Sequence, residues 1–186
     1  MGNIWVTSDT HFNHKNIIRY TKRPFKSVRQ MNNTLIRRWN QRVKRGDIVY
    51  HLGDFVMAKH NIGSIRYFRR RLNGNIIIIE GNHDKKYLNE LEKQGFKVIR
   101  EEAQPLCVGK YLLSHRPLKK KDVPKGFINL YGHIHEKIGF NGINISVERT
   151  GFHPIRLDEV KNYQPNWFKR KLSLLKSKLK KRRKNE

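Results

Sequence analysis

Cysteine is nearly missing from this 186-residue chain, with Cys107 its sole thiol. One thiol cannot close an intramolecular disulfide, which excludes a disulfide-stapled scaffold and fits a reducing, cytoplasmic setting. Long apolar runs are missing too: none approaches the ~20 residues of a membrane-spanning helix. Met1 to Val6 pass straight into an apolar stretch with no basic segment before a long hydrophobic one, so no secretory leader is expected. Val6 also stands where a myristoylation signal needs Ser or Thr. Acidic residues are scarce. Against 15 Asp and Glu stand 41 Lys and Arg, a formal net charge of +26, and such a surface attracts polyanions with a strength that falls with salt. Nucleic acid or an anionic membrane is the natural partner class, with no stable membrane association expected; oligomeric state is not legible.

What is present suffices for one hydrophobic core. Ile, Leu, Val and aromatic residues cluster in runs, which excludes wholesale disorder. Ile4-Trp5-Val6, Ile48-Val49-Tyr50, Ile76-Ile77-Ile78-Ile79, Lys97-Val98-Ile99, Tyr111-Leu112-Leu113, Phe127-Ile128-Asn129-Leu130 and Ile143-Asn144-Ile145 read as strands. Val28, Met31, Leu35, Trp39 and Val43 recur at helical spacing and predict a helix over 28–43, with Ser27 and Gln30 as a capping box. Further helices are expected over 62–72, ending at Asn73-Gly74, and around Tyr87, Leu88 and Leu91, ending at Gly95. Strands alternate with helices early and predominate later, an α/β layering.

Composition changes after Pro165. Residues 161–186 carry a net charge of +10, leaving +16 on residues 1–160, which divides the chain into a body (1–160) and a basic tail (161–186). Phe168, Leu172, Leu175 and Leu179 place one apolar stripe on a helix bordered by Lys and Arg. That helix has three readings: packing on the body, lying on an anionic membrane, or tracking nucleic-acid phosphates. The Lys180-to-Lys184 run is expected to be a solvated end.

Metal-ligand side chains follow several strands. Asp9-Thr10-His11, Gly53-Asp54, Gly81-Asn82-His83-Asp84, His115 and Gly132-His133-Ile134-His135 each come directly after an apolar run. In layered α/β folds the carboxyl ends of strands converge on one edge, so these groups can share a cavity. Beyond a strand, positions i and i+2 face one side, which lets Asp-x-His and His-x-His each offer two ligands. Imidazoles, carboxylates and one amide suit borderline divalent ions such as Mn, Fe or Zn better than Ca.

This ordered set resembles the calcineurin-like metallophosphoesterases, over residues 4 to about 155, and the stretch from His11 to Ile18 looks like that of small bacterial and phage members. The resemblance implies a four-layer α/β/β/α sandwich, here extended by the basic C-terminal helix. It also implies two divalent ions, Mn first, with Fe, Zn or Ni also open. Asp9, His11 and His135 would hold the first ion, Asn82, His115 and His133 the second, with Asp54 bridging. His83 would be the catalytic histidine, acting as general acid or transition-state donor, with Asp84 orienting it. His14 and Arg23 are candidate substrate-phosphate contacts, or else ordinary surface residues. His51 reads as a satisfied core or second-layer histidine, His60 and His153 as surface residues, and Cys107 as a small buried side chain.

The implied activity is phosphoester hydrolysis by a hydroxide that two metals activate. The charge on the body favours a phosphodiesterase acting on nucleotides or nucleic-acid ends. The alternative is a catalytically idle nucleic-acid-binding or protein-interaction module on the same fold.

Overall fold

The computed structural model describes residues 2–58, 61–137, 139 and 141–163. His60 and the expected basic C-terminal helix lie outside the described residues. In chain order the elements are β1 (Ile4–Thr7), α1 (Ile17–Tyr20), α2 (Val28–Arg42), β2 (Ile48–His51), α3 (Gly63–Arg69), β3 (Asn75–Ile79), α4 (Leu88–Lys93), β4 (Lys97–Ile99), β5 (Leu106–Val108), β6 (Tyr111–Leu113), β7 (Ile128–Tyr131), β8 (Ile143–Asn144) and β9 (Ile155–Arg156).

They form two sheets, ordered β4-β3-β2-β1-β9 and β5-β6-β7-β8. Pairing is parallel except at β9 and β5, each an antiparallel edge strand. The two-residue period of a strand divides the apolar side chains between two cores. Trp5, Val49, Ile76 and Ile78 face the first core, under Met31, Leu35 and Trp39 of α2, Ile65 and Phe68 of α3, and Leu88 and Leu91 of α4. Val6, Ile79 and Ile155 face the second, where they meet Leu113, Leu130 and Ile143 of the other sheet. Val160, in a 3-10 turn beside β8, is buried in that second core. Two face-to-face sheets with helices packed on the first agree with the expected α/β/β/α sandwich. Each fully buried Leu, Ile or Phe contributes roughly 1.5–3 kcal/mol, so these two interfaces carry the fold.

Local details follow from named residues. Ser27 adopts an extended backbone and its Oγ accepts from Gln30 N at 3.1 Å. Gln30 Oε1 accepts from Lys26 N at 2.7 Å, so the capping box closes one residue further back than expected. Asp47 ties the chain start to β2 by accepting from Asn3 N and Trp5 Nε1 at 2.8 and 2.9 Å. Three short elements, α1, β5 and β9, were not anticipated, because none is long enough to show a period. Cys107 is exposed on edge strand β5, not buried, because its neighbours Leu106 and Val108 take the inward positions. His153 is half-buried, with Nδ1 3.0 Å from Pro154 O. No helix among the described residues is long and apolar enough to cross a membrane.

Candidate metal centre

The candidate ligands gather at one edge of the sandwich. Asp9 and His11 follow β1, Asp54 follows β2, Asn82 follows β3, His115 follows β6, and His133 and His135 follow β7. The backbone there is not the extended alternation that the sequence predicts. Asp9, His11, Asp54, His133 and His135 are left-handed, at φ of 57°, 48°, 57°, 67° and 51°. Such conformations cost of order 1–3 kcal/mol each for L residues and cluster at functional sites. Backbone bonds between loops hold them: Asp9 N donates to Gly53 O and His11 N to Asp54 O, both at 3.0 Å. Glycine is required beside them. A Cβ on Gly132 would overlap Ser8 Oγ and Asp9 Oδ2, and one on Gly81 would overlap Asp54.

Two groups of side chains emerge, Asp9 with His11 and His135, and Asp54 with His115 and His133, each with ligand atoms within 4.8 Å of one another. Asp54 joins them. Its Oδ1 accepts from His83 N at 2.9 Å, while its Oδ2 lies 3.5 Å from His11 Nε2 and 3.6 Å from His115 Nε2. Asn82 completes the second group, with Oδ1 3.0 Å from His115 Nε2.

Proton placement shows what these groups would accept. His115 Nδ1 faces Leu52 O at 2.8 Å and must donate to it, so a neutral His115 ring offers the Nε2 lone pair. That lone pair then faces two acceptor oxygens, Asn82 Oδ1 and Asp54 Oδ2. His11 Nε2 is buried with no hydrogen-bond partner. His135 Nδ1 donates to Glu148 Oε1 at 3.0 Å, again leaving Nε2 for a ligand. With the rings neutral, these converging lone pairs repel unless a cation sits among them, and borderline divalent ions match this N/O donor set. The residues fit a pair of divalent ions.

The pKa directions agree at His11 and His133 and run the other way at Asp9 and His135. Burial, then the charges of Arg23 and neighbouring histidines, hold His11 well below its ordinary value. Burial, then His115 and Arg116, bring His133 down to about 4. Burial raises Asp9, partly offset by His115 and His135. Neutral imidazoles are the form that binds metal.

Behind the ligands lies a network the sequence did not reveal. Glu148 Oε1 accepts from His135 Nδ1 and from Arg23 Nε and Nη2, at 2.9 and 2.7 Å. Arg23 also donates to Asp9 O at 2.7 Å and Thr10 O at 2.9 Å. Burial would raise the Glu148 carboxyl, but the His135 hydrogen bond and the Arg23 charge hold it below its usual range. Burial would likewise lower His135, and Glu148 and Asp9 instead raise it. Carboxylates behind metal-binding histidines fix the tautomer in this way. Arg23 is therefore not a substrate contact: its side chain is 0% exposed and its donors are spent on Glu148 and two carbonyls. The only trace of Glu148 in the sequence is a lone acid closing the apolar run from Ile143 to Val147.

Asp84 also differs from expectation. Its carboxylate accepts from Asp54 N, Phe55 N and Gly81 N at 2.7, 3.0 and 3.0 Å, so it fixes the loops and not the His83 ring. Burial and the Asp54 charge push it up to about 7. His83 is exposed, with its ring 5.3 Å from that of His11. His14 is half-buried, with Nδ1 3.4 Å from His11 Nδ1. Both line a cavity of about 420 Å³ with His133 and His135. A second cavity of about 350 Å³ is lined by Asn82, Lys85, His115 and Arg116. Arg116 is exposed and donates to His133 Nε2 at 2.8 Å, an unanticipated cation at the rim. His51 is buried with Nε2 2.9 Å from Thr10 Oγ1, but it is not the fully satisfied histidine expected, since Nδ1 has no hydrogen-bond partner.

The model of the calcineurin-like phosphoesterase family matches residues 2–184. The chain is a calcineurin-like phosphoesterase. This phosphoesterase is 38% identical to uncharacterized protein MJ1445 of Methanocaldococcus jannaschii over 169 residues, 85% of this chain and 89% of that one. It superposes on the crystal structure of the protein of unknown function AQ665 from Aquifex aeolicus with a TM-score of 0.66 at 27% identity, covering 87% of this chain and 99% of that one. Overlap with Pseudomonas putida nuclease MPE is looser, with a TM-score of 0.47 at 19% identity, over 71% and 61% of the two chains. The phosphoesterase is thus an enzyme of a metal-dependent, phosphoester-hydrolysing family, with two groups of side chains able to hold metal.

Proposed function

We propose that the phosphoesterase is a two-metal phosphodiesterase acting on nucleotides or nucleic-acid ends. One observation carries the proposal: a single oxygen, Asp54 Oδ2, is approached within 3.6 Å by an imidazole nitrogen from each group, His11 Nε2 and His115 Nε2. Asp9, His11 and His135 would hold one ion, Asn82, His115 and His133 the other, and Asp54 both. A bound pair of ions such as Mn supplies Lewis acidity towards phosphoryl oxygens and an activated water as nucleophile.

The protein's own contribution is placement and charge. Asp84 and the left-handed loops hold the ligands before substrate arrives, so little reorganisation accompanies reaction. His83, exposed at the cavity mouth and tethered through its backbone to Asp54, is positioned to give a proton or hydrogen bond to the leaving oxygen. His14 and the Arg116 guanidinium border the same space and would meet phosphoryl oxygens. The excess of +16 on the body favours polynucleotide over a small uncharged leaving group, through counterion release. The basic tail would add to that attraction.

Hydrolysis of bis-p-nitrophenyl phosphate and p-nitrophenyl phosphate with added Mn is the test. Turnover in wild type and its loss in both Asp54→Ala and His83→Ala supports the enzyme reading; inactivity of wild type on every phosphoester supports the idle module. For the nucleic-acid half, affinity for single-stranded DNA or RNA should fall steeply with salt, and a flat salt dependence would remove it.

A further inference from the structure

We propose that Tyr20 is a nucleobase-stacking platform at the mouth of the metal centre, which makes the substrate a base-bearing phosphoester. The inference deepens the proposed function and rests on it. Tyr20 ends α1 and is 60% exposed, the most exposed large hydrophobic side chain among the described residues. It lines the cavity of about 420 Å³ that also holds His11, His83, His133 and His135. A largely exposed aromatic ring therefore borders the space where the phosphoester would lie.

The placement is fixed. Ile17 is buried in the first core, Tyr20 N donates to Asn16 O at 3.0 Å, and Thr21 Oγ1 donates to Ile17 O at 2.9 Å. Arg23 N donates to Ile18 O at 2.9 Å, and the Arg23 side chain is anchored by Glu148. One short helix is thus pinned on both sides, with Tyr20 projecting between the pins. The His14 ring stands 6.2 Å away at 82°, an edge-to-face neighbour on the same cavity wall.

Arg71 lies over the Tyr67 ring at 3.7 Å, and Arg19 lies over the Tyr20 ring at the longer distance of 5.8 Å. A base stacked on Tyr20 would share the ring with Arg19 or displace it towards the phosphate. Every base has a π-face, so such a platform is sequence-tolerant, and single aromatic residues in single-strand binders contribute substantially per base. A substrate whose ester carried only an alkyl group would gain nothing from it.

The test compares adenosine 5′-monophosphate with ribose 5-phosphate, which share the phosphate and differ in the base. Both are titrated calorimetrically into the full chain, with and without Mn. Wild type should bind the base-bearing probe more tightly. Tyr20→Ala should weaken it roughly 5- to 150-fold and leave ribose 5-phosphate unchanged, while Tyr20→Phe and Tyr20→Trp should retain the preference. Equal weakening of both probes, no loss in Tyr20→Ala, or no base preference in wild type would overturn the proposal. Hydrolysis of bis-p-nitrophenyl phosphate, assayed in parallel, separates the two claims. Base discrimination without hydrolysis would defeat the phosphodiesterase reading and leave the platform standing. Hydrolysis without discrimination would do the reverse.

Discussion

Replacing Glu148 by Gln should weaken both the fold and metal binding, and by amounts the structure allows to be worked out. The Arg23–Glu148 pair is closed at 2.7 Å between side chains 0% and 5% exposed, so water screens it little. Removing one member of a buried pair typically costs ~3–5 kcal/mol, because the other charge is left uncompensated. Gln keeps an acceptor at Oε1, and Arg23 keeps its bonds to Asp9 O and Thr10 O, which places the cost near the lower end, about 3 kcal/mol. For a chain of this size the melting temperature should fall by roughly 6–12 °C. His135 would meanwhile lose the charge behind Nδ1, and changes of that kind typically weaken metal binding ~10–100-fold. Thermal unfolding of metal-free protein and calorimetric Mn titration read the two effects separately. Arg23→Met with Glu148→Gln removes both charges, so the double variant should be more stable than the sum of the singles by at least ~1.5 kcal/mol. Additivity within ~0.5 kcal/mol, or wild-type Mn affinity in Glu148→Gln, would refute the reasoning.

Three further outcomes are expected. Gly132→Ala should lose Mn binding at the first group, since the added methyl meets Ser8 and Asp9; retained affinity in the titration would show that the loop can yield. Mn at 100 times its dissociation constant should stabilise the wild-type fold by ~2.7 kcal/mol, and this shift in melting temperature should be absent from Asp54→Ala. His51 is held neutral by burial at a pKa of about 3, against 6.5 when unfolded, so only the unfolded chain takes up its proton between those values. Stability from His51 is therefore complete above pH 6.5 and lost as pH falls, by ~2 kcal/mol at pH 5. Urea unfolding of metal-free protein at pH 5 and 7 should show a smaller difference in His51→Gln; an unchanged difference would mean that His51 is not the group responsible.

Much of the site was legible because its chemistry is written locally. Asp9-x-His11 and His133-x-His135 each place two ligands in three residues, and each follows an apolar run whose own period marks a strand. The runs also identified the larger strands, and the spacing of Met31, Leu35 and Trp39 identified α2. What was hidden depends on contacts between distant segments. Glu148 reaches Arg23 across a separation of 125 residues, and nothing in either neighbourhood announces the partner. Both sequence readings of Arg23, as a phosphate contact or an ordinary surface residue, assume an accessible side chain; the buried carboxylate that draws it inward is invisible in sequence. Asp84 was assigned to its sequence neighbour His83, yet its three amide donors come from loops after β2 and β3. The left-handed backbone at the ligands suits Asp and His better than most residues, but the bonds between loops that hold it come from the fold. Cys107 was placed inside because its neighbours are apolar, and only the pairing of β5 at a sheet edge decides which side it takes.

Anomalous diffraction from crystals of the full chain grown with Mn tests the central claim most directly. Two Mn peaks are expected, one bound by Asp9, His11 and His135 and the other by Asn82, His115 and His133, with the Asp54 carboxylate between them. A single peak, or two peaks that leave Asp54 unliganded, would contradict it.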